Sequence, residues 1–275
     1  MPSSNPITMT FPPFERTVRK LVLANVGVFF AVAVLQWLAP RPVDLLLNHL
    51  LLTPSQVAHG EIWQLVTYSF IHFGLLDILF GMLTLWFLGA MLEGAYGSRW
   101  FRELYFSSAI GGALLASAIS FTHIRGLDPS AISAGAWAGI FGLLIAIAVR
   151  FGDQEFLLFF LVRIKAKYMV AIYILIALAV LLKANNAFGA LLQLSGGLCG
   201  YLYLQFAPRR GLGFGVSEQY FALRNAYYRA KRRRAARKFE VYMGKQGRVV
   251  SFDKEGRYVD PDEERKNPKD KRWMN

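Results

Sequence analysis

Residues 135–142 read Gly-Ala-Trp-Ala-Gly-Ile-Phe-Gly, and a hydroxyl, Ser133, lies four residues before Trp137. A second serine, Ser195, sits in Gln193-Leu-Ser-Gly-Gly-Leu-Cys-Gly200. Nucleophilic catalysis needs such a hydroxyl, a general base within hydrogen-bond reach, and donors aimed at the developing oxyanion. The candidate bases are His49, His59, His72 and His123. All four fall in loops or at the edges of apolar stretches, so no Ser–His pairing is evident from spacing. The lone Cys199 rules out a disulfide within the chain. Neither a metal site nor a cofactor is expected. Asp77, inside an apolar run, is costly there and is expected to face the protein interior or water.

The elements that position these groups are membrane helices. Apolar residues make up 55% of the 275-residue chain, and they fall in long runs rather than in short periodic ones. Six runs, 20–39, 72–92, 101–122, 131–149, 167–182 and 187–207, meet or approach the roughly 20 residues a spanning helix requires. The composition and runs exclude an ordinary soluble domain and predict six transmembrane helices. Arg16, Arg19 and Lys20, then Arg99 and Arg102, then Arg150, Arg163, Lys165 and Lys167 fall on one side. Arg41, Arg125 and Lys183 fall on the other. The positive-inside bias therefore predicts both termini in the cytoplasm. No cleavable signal is apparent, and a bacterial inner membrane is the expected location.

Three segments follow: a cytoplasmic stretch 1–19, a membrane domain 20–207 and a basic tail 208–275. The tail carries 19 Lys and Arg against 9 Asp and Glu, most of the chain's net charge of +13. Anionic headgroups at the cytoplasmic face are the expected partner, at about 1 kcal/mol per well-placed basic side chain; nucleic acid is not. Within the tail, 217–240 reads as a basic helix capped by Ser217. Phe239–Met243 and Arg248–Phe252 read as a small hairpin, and the residues from Asp260 as disordered. The loop 40–71 is long and amphipathic, which predicts local helices, with Trp63 and Tyr68 at headgroup depth.

The Gly-rich helices carry a more specific signal. Trp63-Gln-Leu-Val-Thr-Tyr-Ser-Phe-Ile-His72 leads into a helix containing Asp77, Gly81 and Glu93 and followed by Gly97-Ser-Arg99. With Gly135–Gly142 and Gln193–Gly200, this pattern resembles the rhomboid family of intramembrane serine proteases over residues 20–207. The resemblance implies an all-α six-helix bundle. It also implies that Trp137 stands where the family has its nucleophilic Ser, Gln193 where it has its His, and Asp77 and Gly81 where it has its oxyanion-hole residues. Trp has no nucleophilic atom, Gln takes no proton near neutral pH, Asp would repel an oxyanion, and Gly offers no side chain.

The expectation is accordingly a rhomboid pseudoprotease, not an enzyme, that binds transmembrane segments of client proteins. Trp137 is expected to fill the cleft and to donate its indole N–H to Gln193. Gly135, Gly139, Gly142, Gly196 and Gly200 are expected to allow close helix packing, and Glu93 and Arg99 to form an ion pair. Two alternatives stay open: a serine-type endopeptidase using non-standard residues, and a membrane anchor acting through its basic tail.

Overall fold

A computed structural model describes residues 13–14, 16–124, 127–158, 162–183, 186–206, 212–247, 250–252 and 257–259. The chain separates into two compact units, 1–211 and 212–275. In the first, α1 (Arg16–Leu38) is followed by α2 (Pro40–Leu50), α3 (Pro54–Ala58), α4 (Gln64–Thr67) and a single 3-10 turn, Tyr68–Phe70. Then come α5 (Leu75–Tyr96), α6 (Ser98–Ser120), α7 (Trp137–Phe151), a β-hairpin of β1 (Glu155–Leu158) and β2 (Val162–Lys165), α8 (Ala166–Leu182) and α9 (Ala187–Phe206). The architecture is mostly helical. Among the described residues four helices, α1, α5, α6 and α9, are long and apolar enough to cross a membrane, whereas α7 and α8 are apolar but shorter. The six expected stretches thus correspond to six apolar helices, of which four have spanning length.

The shortening of α7 has a local cause. Its predicted start near 131 falls in extended chain, because Ser133 exchanges two backbone hydrogen bonds of 3.0 Å with Leu52. Gly135 N–H then donates to the Tyr68 carbonyl at 2.9 Å, and Gly135 takes φ +103°, a conformation side chains oppose. Only after this turn does the helix begin, at Trp137. Gly135 therefore acts as a turn residue ahead of the helix and not as a helix-packing glycine, which corrects the expectation for that position.

The core lies where α6, α7 and α9 meet. A Cβ added at Gly200 would sit 2.6 Å from Gly142 Cα, and one at Gly112 would sit 2.7 Å from Gly196 Cα. At Gly139 it would strike the ring of Tyr105, at Gly142 the side chain of Ser108, and at Gly196 the backbone of Ala138. Between helices in lipid, association rests on van der Waals packing, which small residues permit by letting backbones approach. Around this contact Phe101, Leu104, Tyr105, Ile140, Leu143 and Ile147 are fully buried.

Glu93, near the end of α5, is buried and accepts the backbone N–H groups of Thr17 and Val18, both at 2.9 Å. A carboxylate at this point satisfies unpaired donors at the start of α1 and matches its dipole. Arg99 pairs instead with Glu103, one turn further along α6, at 3.0 Å. The expected Glu93–Arg99 pair is replaced by these two separate interactions.

The 40–71 segment folds into short helices held by buried Gln64. Its Oε1 accepts from Thr53 N–H at 2.9 Å, and its Nε2 donates to Gln56 at 2.6 Å and Glu61 at 2.7 Å. Tyr68, fully buried, donates its hydroxyl to the Ala109 carbonyl at 2.8 Å and so ties the segment to α6. At the β-hairpin, hydrogen bonding from Lys167 holds the exposed Asp153 carboxyl below its usual range.

In the second unit α10 runs Leu212–Lys245, followed by the antiparallel pair β3 (Ser251–Phe252) and β4 (Tyr258–Val259). Residues 239–243, expected as a strand, continue the helix. The helix formers ahead of them, at 235–238, carry it on to Lys245, and Gly247 at φ +72° follows its end. Ser217 accordingly lies inside α10 and not at its cap. The hairpin falls one strand later than expected, with Phe252 edge-on to both Phe239 and Tyr258 at 6.2 Å. The stretch from Asp260 lies outside the described residues.

Gly200→Ala is expected to destabilise the fold by about 1–3 kcal/mol, because the added carbon meets backbone that cannot rotate away. Gly94→Ala, with open space around it, is expected to be neutral or slightly stabilising. Thermal unfolding of both variants in detergent measures the difference.

Candidate functional site

The starts of α5, α7 and α9 converge on a cavity of about 390 Å³. Its wall comprises Phe73, Gly74 and Asp77 from α5 and its lead-in, Ile132–Gly135 and Trp137–Ala138 from the chain ahead of α7 and its first residues, and Asn186, Gly189, Leu192 and Gln193 from α9 and its lead-in. The sequence supplies each approach. Gly74 gives an extended entry to α5, and Asp77 then lies in the first turn, where the helix dipole favours a negative charge. Asn186, at φ +57°, turns the chain into α9 and accepts the Gly189 N–H at 3.3 Å.

One short hydrogen bond organises the polar wall. Trp137 Nε1 donates to Asp77 Oδ1 at 2.6 Å, across sixty positions of sequence. The expected indole donation to Gln193 is therefore corrected: the acceptor is Asp77. An ionised carboxylate outcompetes an amide oxygen for an N–H donor, and the first turn of α5 brings it within reach. Both residues are half-buried. The other carboxylate oxygen, Oδ2, faces Gly135, where an added Cβ would lie 3.7 Å from it and 3.6 Å from Trp137 Cδ1. The missing side chain at Gly135 thus keeps the space beside the carboxylate open.

Of the four positions singled out by resemblance, Asp77, Trp137 and Gln193 border this cavity. Gly81 does not; it is buried one turn deeper on α5, with Ile140 3.8 Å from where its Cβ would be. Ser133 borders the cavity, whereas Ser195 is buried in α9 away from it. His72 is buried behind the wall, its Nε2 accepting the Ala136 N–H at 3.4 Å, which requires the neutral ring. His49 pairs with Glu61 at 2.8 Å, while His59 and His123 bond to nearby carbonyls. The Cys199 thiol packs over Gly111 on α6. Asn186 is a cavity residue that the sequence motifs do not single out; an Asn directly ahead of an apolar helix is the signal that could have found it.

A bundle of apolar helices with a polar cavity at their starts defines an integral membrane protein. Residues 59–210, more than half of the chain, match the model of the Rhomboid domain. The chain belongs to the rhomboid family. It is 34% identical over 95 residues to Rhomboid protease GluP of Bacillus subtilis, a match covering 34% of this chain and 18% of that protein. To Rhomboid-like protein 19 of Arabidopsis thaliana it is 26% identical over 212 residues, covering 75% of this chain and 66% of that protein. To Rhomboid protease GlpG of Photorhabdus laumondii it is 32% identical over 75 residues, 27% of each chain. Each match spans less than two thirds of the relative's own length.

These relatives correct one expectation. The expectation that the chain is not an enzyme rested on the residues at Trp137, Gln193, Asp77 and Gly81. It is set aside because the chain belongs to a family in which relatives from two bacteria are named as proteases. Plant relatives stand beside bacterial ones, so the family does not assign a bacterial membrane.

Trp137→Phe removes the donor of the 2.6 Å hydrogen bond, and Asp77→Asn replaces its acceptor by a weaker, neutral one. A double-mutant cycle is expected to give a coupling of about 1.5–3 kcal/mol, the range for hydrogen bonds to charged groups. Denaturant unfolding of the four proteins in detergent checks it, and a coupling near zero would remove the bond from the account.

Proposed function

We propose that this rhomboid-family protein takes transmembrane segments of other membrane proteins laterally into the cavity at the starts of α5, α7 and α9. The observation that carries the reading is the cavity itself. Its polar groups, Asp77, Ser133, Asn186 and Gln193, are set among Phe73, Ile132 and Leu192. A polar recess bordered by apolar side chains suits a helix that partly unwinds, because freed backbone groups in a membrane need new partners. Exposed Leu75, Leu76, Leu79, Phe80 and Leu83 continue from the mouth along α5, offering an apolar surface for the rest of the incoming helix. In this reading all six apolar helices span, with α7 completed by the extended chain leading into it, and both termini lie on the cytoplasmic side.

Serine-type cleavage, which the names of the relatives attach to those proteins, is the second reading. The observation favouring it is that Ser133 places a hydroxyl on the cavity wall. For α10 we propose contact with anionic headgroups. Arg229, Arg233, Arg234 and Arg237 share one face of α10 with the small residues Ala226 and Ala230, which leaves their forked guanidinium donors free to reach a phosphate.

Photo-crosslinking from position 76 in native membranes tests the first reading. Single-span proteins are expected to be captured, and Trp137→Ala, which enlarges the cavity, to alter which ones. An unchanged set, or capture of lipid alone, would overturn it. A fluorophosphonate probe tests the second: labelling lost in Ser133→Ala supports cleavage, and absence of any labelled serine removes it.

A further inference from the structure

We infer that the cavity selects transmembrane segments carrying a Lys or Arg side chain, which it receives against the Asp77 carboxylate. The inference rests on the lateral-binding reading above and names the class of segment. Among the described residues, the cavity is bordered by one carboxylate, three neutral polar side chains and two aromatic rings beside aliphatic groups, and by no cationic side chain. Trp137 engages Oδ1 of Asp77 through a neutral indole N–H, which orients the carboxylate without neutralising it. Oδ2 is left facing the open space that Gly135 preserves. The nearby His72 is buried, which disfavours its charged form, and its Nε2 accepts the Ala136 N–H at 3.4 Å.

A carboxylate at this place is costly. An ionised Asp, Lys or Arg within a membrane helix costs about 2.5–3.5 kcal/mol on insertion scales. A segment with a basic residue bears the same cost in lipid, and bringing the two charges together in one recess offsets both. The Ser133, Asn186 and Gln193 oxygens can accept the remaining N–H groups of an ammonium or guanidinium. The Trp137 and Phe73 rings at the wall favour a cation over an anion. An uncharged apolar segment, by contrast, would leave Asp77 facing hydrocarbon.

The full chain, with a photo-crosslinking phenylalanine analogue replacing Phe73, is placed in phosphatidylcholine nanodiscs. It is offered single-span peptides identical except for one position near the helix end: Lys, norleucine or Glu. The Lys peptide is expected to be labelled at least tenfold more than the norleucine peptide, and the Glu peptide least. Asp77→Asn is expected to bring the Lys-to-norleucine ratio near one, and Asp77→Glu to restore it. Equal labelling of Lys and norleucine peptides by the wild-type residue at 77 overturns the charge selectivity while leaving lateral binding standing. Absence of labelling by every peptide overturns lateral binding and the selectivity with it. Should Asp77→Asn fail to fold, the wild-type ratio, which needs no variant, decides.

Discussion

Backbone meets backbone where α6, α7 and α9 cross, and the placement of every polar group in the cavity depends on that contact. Gly112 lies against Gly196, and Gly142 against Gly200, at separations that leave no room for a Cβ. Larger residues here would push α7 outward and carry Trp137 away from Asp77. Because lipid supplies no hydrophobic drive between helices, these close approaches, with Tyr105 and Ser108 filling the remaining gaps, must hold the centre together. The loop before α5 then acts as a clamp. Leu52 and Tyr68 fix the extended stretch 133–135 by backbone hydrogen bonds, so α7 starts at a defined point with its first side chain aimed at the cavity.

That first side chain, Trp137, is itself held by a partner. An indole would be a poor occupant of a polar recess unless its N–H found an acceptor. Asp77 provides one, and the dipole at the start of α5 makes the carboxylate less costly than it would be elsewhere in a span. The two residues therefore support each other: the carboxylate satisfies the indole, and the indole orients the carboxylate. Gln193 and Ser133 remain on the wall without being drawn into the pair. Family membership and the protease names of relatives keep a chemical role for such groups in play, whereas the cavity and its charge describe what can enter.

Apolar run length made the six helices legible, since a run near 20 residues admits few other readings, and the Gly-rich registers pointed to the rhomboid scaffold. The same logic could not see that α7 begins late. The bridge between Ser133 and Leu52 joins residues far apart in sequence and leaves no mark in hydropathy. Asp77 and Trp137 were each conspicuous, but their pairing depends on how α5 and α7 cross, so Gln193 was an equally good partner on paper. Glu93 was matched to a nearby arginine because sequence proximity hides the start of α1, over seventy residues away. In the tail, alternation in Phe239–Met243 read as a strand, yet the helix formers ahead of it kept α10 going.

The account turns on whether a transmembrane segment enters the cavity and reaches the indole. A single fluorotryptophan at position 137, observed by fluorine NMR in nanodiscs while a Lys-bearing single-span peptide is titrated in, reports that event directly. A saturable shift of this resonance, absent from a label at exposed Trp37, is the predicted result. A resonance at 137 that stays unmoved while the peptide demonstrably binds elsewhere on the protein would contradict it.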